Sequence, residues 1–80
     1  MKHTEAIKIA MKQAGITQTE MRSQLGISQS SMSERISHKN ISVKNLTEIL
    51  DVIGYELVIQ PRTEGERPVG QYALDRADYA

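Results

Sequence analysis

From residue 4 to residue 54 the apolar positions recur at the three-and-four spacing of amphipathic helices. Hydroxyl residues precede these runs and glycines follow most of them. Ile7, Ala10, Met11 and Ala14 make the first run, with Thr4 placed as its cap and Gly15 as its stop. Thr17-Gln18-Thr19-Glu20 is a capping-box sequence, in which the hydroxyl accepts an early backbone N–H while the carboxylate reaches back to the cap. The helix it opens carries Met21 and Leu25 inward and ends at Gly26. Ser28 is positioned to cap a third helix with Met32 and Ile36 as its inward pair. Ser42 caps a fourth, whose stripe of Val43, Leu46, Ile49, Leu50 and Ile53 is the cleanest in the chain, closed by Gly54.

The period then changes. In Tyr55-Glu56-Leu57-Val58-Ile59-Gln60 the residues alternate as in a strand, ended by Pro61. One strand cannot satisfy its own backbone groups, so this one needs a partner from the tail, the N-terminal residues or a second subunit. Pro61, Gly65, Pro68 and Gly70 mark a composition shift at the end of the packed region. The division expected is therefore a helical domain over 1–54, a strand over 55–62 suited to dimerisation, and an acidic tail over 63–80. For Tyr72, Leu74 and Tyr79 in that tail, a short docked helix and a flexible end fit the sequence equally.

Composition narrows the function. Eighty residues suffice for one small domain, and 39 % hydrophobic with 25 % charged residues fits a folded chain. A core without Phe or Trp must be built from Ile, Leu, Val, Met and Ala, and so small a domain gains from dimerising. With no cysteine there is no disulfide, thiolate nucleophile or zinc–sulfur site, and His3 and His38 are too far apart in the chain to suggest a metal centre. No phosphate-cradling glycine loop is seen, no membrane span or secretory leader is expected from the apolar pattern, and the carboxylates show no acid–base spacing. The expectations are a cytoplasmic chain that is not an enzyme, with no cofactor, no metal, no membrane partner and no small-molecule ligand. The formal net charge is zero but unevenly spread. Residues 1–62 hold eight basic and six acidic side chains, and residues 63–80 two basic and four acidic.

The segment that speaks to function is Thr17–Ile36, TQTEMRSQLGISQSSMSERI. Two short helices are separated by Leu25-Gly26-Ile27-Ser28, a turn of the length that sets them at roughly 90–120°, with Ile27 and Met32 filling the angle. This stretch resembles the helix-turn-helix of the Cro and phage-repressor (XRE-type) transcription regulators. The resemblance extends over roughly residues 4–54, including the final Leu-x-x-Ile-Leu-x-x-Ile-Gly helix. It implies an all-α, lambda-repressor-like four-helix domain whose third helix enters the major groove.

Carried over by position, the resemblance assigns base contacts to Gln29, Ser30, Ser33 and Glu34. Gln29 is suited to adenine N6 and N7, and Glu34 can accept from cytosine N4. It assigns phosphate contacts to Thr17, Gln18, Ser28, Arg35, Lys39, Asn40 and Lys44, the last three near the start of the fourth helix, where an anion is favoured. The family commonly has alanine where Arg22 stands, and an aliphatic residue where Arg35 stands. Arg22 is expected to run its stem out to solvent, and Arg35 to face a phosphate or a guanine. Lys39 and Lys44 also read as ordinary surface lysines, and His38 as a helical surface partner of Glu34.

The function implied is a sequence-specific, double-stranded DNA-binding regulator, a repressor of the phage or mobile-element kind acting as a homodimer on a pseudo-palindromic operator. Tyr55, Leu57 and Ile59 would join the copies. The near-neutral charge keeps a second class open, a protein-interaction module (antitoxin or inhibitor) that uses the same helices to bind a protein.

Overall fold

The computed structural model describes residues 1–75, and Tyr79 lies outside them. Among the described residues the chain is all-α, with four helices and no strand: α1 (His3–Ala14), α2 (Gln18–Leu25), α3 (Gln29–Ser37) and α4 (Val43–Val52). No helix among them is long and apolar enough to cross a membrane.

Local chemistry sets most of the boundaries. Thr17 and Glu20 form the full capping box at the start of α2, and the Ser28 and Ser42 hydroxyls accept the backbone N–H groups of Ser31 and Asn45. Helix α1 differs from expectation. It begins at His3 behind Lys2, with no side-chain cap, and the Thr4 hydroxyl donates instead to the Ile36 carbonyl at 2.9 Å. Lying inside the first turn, that hydroxyl satisfies one of the carbonyls left over at the end of α3 and ties the two helices together.

Three exits share one device. After α1, α2 and α4, a glycine and the following residue fold back onto the last turn. Ile16 N–H bonds the Met11 carbonyl at 3.0 Å, Ile27 the Arg22 carbonyl at 3.1 Å, and Tyr55 the Leu50 carbonyl at 2.9 Å. Ile16, Ile27 and Tyr55 all pack against the core, so each turn is anchored by an apolar side chain. Gly26 stands at φ +69, a left-handed conformation that a side chain at that position would resist.

Helix α2 packs on α3 and α4, and α1 packs on α3. At the centre Ile7, Met21, Met32 and Ile49 are sealed from solvent, with Ala10, Met11, Ile36, Leu46 and Ile53 around them. Two apolar positions depart from the expected stripes. Ala14 ends α1 on the surface, whereas Ala6 and His3 are buried instead. Val43 is 67 % exposed, because the whole first turn of α4, Ser42 to Lys44, stands clear of the packed region.

In the single chain, 55–60 does not form the expected strand. Tyr55 turns inward as part of the α4 exit, while Leu57, Val58 and Ile59 are exposed. Among the described residues no backbone hydrogen bond joins 56–60 to another segment, and without such bonds alternation alone does not make a strand. The chain instead returns to α1. The Tyr55 and Tyr72 hydroxyls both donate to Gln13 Oε1, and the Asp75 backbone N–H donates to the Met1 carbonyl. The described part of the tail contains no helix.

Candidate functional site

The exposed start of α3 gathers the expected base-reading residues on one face. Gln29 is the first residue of α3, and its Nε2 donates to Oε1 of Gln18, the first residue of α2, at 3.3 Å. The starts of two successive helices are thereby tied together, and the Gln29 amide is held in place. Ser30, Ser33 and Glu34 lie beside it, all exposed. The Ser28 and Ser30 hydroxyls stand 3.2 Å apart, and Ser28 also donates to the Ser31 hydroxyl at 3.1 Å. The face is therefore a glutamine followed by a hydroxyl network, rich in groups that can both donate and accept.

The residues expected at phosphates are variously engaged. Thr17 is committed to its own helix, accepting from Glu20 N–H at 3.2 Å and donating to Glu20 Oε1 at 3.0 Å. Ser28 is likewise engaged as a cap. Lys39 is exposed and makes no ion pair among the described residues, and Asn40 is exposed with its backbone N–H donating to His38 Nδ1 at 3.1 Å. His38 thus turns toward the loop.

Arg35 and Lys44 converge on one carboxylate. Arg35 Nη1 lies 3.1 Å from Glu48 Oε2, and Lys44 Nζ lies 2.6 Å from Glu48 Oε1. The Lys44 hydrogen bond, followed by Arg35, holds the Glu48 carboxyl below the usual carboxylate range despite partial desolvation. Glu48 was not singled out by the sequence pattern. The signal was present in its spacing of i, i+4 from Lys44, but the cross-helix bond from α3 has no sequence mark. Beside this pair a 410 Å³ pocket opens between the end of α3 and the start of α4, lined by Glu34, Arg35, His38, Asn40 and Asn45 among others.

Arg22 is the second residue whose setting the sequence understated. It is half-buried on α2, one turn beyond Gln18, and its Nε is covered without a hydrogen-bond partner. The residues expected to join two copies separate: Tyr55 packs against the core, whereas Leu57 is 43 % exposed and Ile59 fully so. Among the described residues no group of His, Asp or Glu is arranged to hold a metal ion. No protein-family model, no curated protein and no solved structure matches this chain.

Proposed function

We propose that this chain is a sequence-specific double-stranded DNA-binding regulator, with α2, the Gly26–Ser28 turn and α3 serving as a helix-turn-helix. The observation that carries the reading is the Gln18–Gln29 pair. It fixes the amide best suited to adenine at the exposed start of a helix whose other outward residues are small and polar. Gln29 reads a base, Ser30, Ser33 and Glu34 contribute further contacts, and Lys39 with Asn40 meets the neighbouring phosphates. Two copies occupy a pseudo-palindromic operator with half-sites about 34 Å apart, one helical turn. The exposed Leu57 and Ile59, next to Tyr55, join them. Occupation of the operator excludes polymerase, as a repressor of the phage or mobile-element kind does.

Selection of bound duplexes from a random pool, together with the mass of the complex in solution, tests this reading. A two-fold symmetric site bound by two chains is expected. Failure to enrich any sequence at low salt overturns it.

One observation favours a second reading, a module that binds a protein. Glu48 engages two of the cations that would otherwise face phosphates and cancels one of their two charges, leaving the α3–α4 side poorer in positive charge than a DNA surface gains from. A stoichiometric protein complex, formed by a chain that binds no duplex at low salt, would select it.

A further inference from the structure

We infer that Arg22, rather than Arg35, is the α2–α3 arginine that neutralises a DNA phosphate, an inference resting on the DNA-binding reading above. Arg35 is already charge-paired: its Nη1 is bonded to Glu48, which Lys44 holds from the other side. Arg22 has no such carboxylate. No ion pair or hydrogen bond is made by its guanidinium among the described residues. Its Nε is covered, so the stem and the root of the guanidinium are packed. The residue remains half-buried rather than buried, and the exposed remainder is left for a ligand.

Position does the rest. Arg22 follows Gln18 by four residues and therefore stands on the same stripe of α2, the stripe from which Gln18 reaches Gln29 on α3. A cation there is one helical turn from the residue that holds the Gln29 amide. A packed stem also loses little conformational freedom on making a contact. An unpaired guanidinium matches an oxyanion in charge and in the geometry of its donors, and the repeating oxyanion of a duplex is its phosphate. The chain's zero net charge makes one unneutralised arginine at this place matter more than it would in a basic protein.

The test is duplex binding by fluorescence anisotropy from 50 to 200 mM salt, using the full chain and the variants Arg22→Gln, Arg22→Lys and Arg35→Gln. Each phosphate contact adds about 0.9 to the slope of log affinity against log salt. Over that fourfold range the wild-type chain should therefore lose about 3.5-fold more affinity than Arg22→Gln for each bound copy, about 12-fold for two copies on an operator. Arg22→Lys should keep the wild-type slope, and Arg35→Gln should leave it unchanged. Circular dichroism confirms that each variant is folded. A wild-type slope in a folded Arg22→Gln variant overturns the assignment and leaves the DNA-binding reading intact. Absence of duplex binding by the wild-type chain removes both.

Discussion

Gln29 Nε2 donates to Gln18 Oε1, so the first residues of two successive helices share a hydrogen bond across the turn that separates them. With its donor held, Gln29 keeps one orientation at the exposed tip of α3. Gln29→Ala should lose about 1–3 kcal/mol of discrimination between the selected duplex and a scrambled one. Gln18→Ala should cost less, about 0.5–1.5 kcal/mol, because the contact survives and only its pre-ordering is lost. Competition mobility shifts with the two duplexes separate these outcomes; equal binding of both duplexes by wild type and Gln29→Ala would contradict the assignment.

Glu48 holds Arg35 and Lys44 together, and its carboxyl is depressed below the ordinary value of 4.5. A depressed carboxylate contributes stability that is present above its unfolded value and lost as pH falls through the folded one. Between about pH 5 and pH 3 the wild-type chain should therefore lose stability more steeply than Glu48→Gln. Urea midpoints taken across that range measure the difference, and parallel curves would dismiss the pairing as unimportant in solution.

The same substitution has an opposite effect on duplex binding. Glu48→Gln frees two cations beside α3, so nonspecific affinity at low salt should rise and the salt dependence steepen. Lys39→Ala, which removes a cation with no carboxylate partner among the described residues, should weaken all sequences alike and reduce the slope by about one. Salt titrations of the three chains on random duplex decide this.

Gly26→Ala isolates the turn between α2 and α3. A Cβ there meets nothing within 4 Å, so the penalty is conformational, roughly 1–2 kcal/mol for a left-handed residue. For a domain of this size each kcal/mol lowers Tm by about 4–8 °C. Gly26→Asn, which tolerates that conformation better, should recover part of the loss. Thermal unfolding by circular dichroism gives the ordering glycine, asparagine, alanine.

Ile59 buries nothing in the single chain and Leu57 is 43 % exposed. If they join two copies, Leu57→Ser with Ile59→Ser should yield monomers by sedimentation while the unfolding of the monomer is little changed. A wild-type chain that sediments as a monomer at operator-binding concentration would exclude this route to assembly.

The helix boundaries were legible because they rest on local chemistry. A threonine and a glutamate three residues apart, serines before apolar runs, and glycines after them each satisfy backbone groups within one turn. What depended on a partner was not legible. Thr4 looks like a cap until the Ile36 carbonyl stands beside it, and Tyr55–Gln60 looks like a strand until no neighbour supplies its ladder. Val43 matches its stripe but lies beyond the edge of the core. At the candidate site, the places of Gln18 and Gln29 at the starts of α2 and α3 were legible, but the bond between them was not. Nor was the capture of Arg35 by Glu48, since it joins two helices whose relative placement the sequence pattern leaves open.

Gln13 has a single amide oxygen, and the Tyr55 and Tyr72 hydroxyls both donate to it. The stretch between those tyrosines is thus pinched at its neck, as an Ω-loop is, while its body hangs in water. Closing such a loop becomes harder only logarithmically with length, about 0.6 kcal/mol for each doubling. Insertions and deletions around Thr63–Arg67 should accordingly be cheap, whereas the tight bend at Gly26–Ser28 has no such latitude. This domain has one place where its length is free to drift and another where it is not.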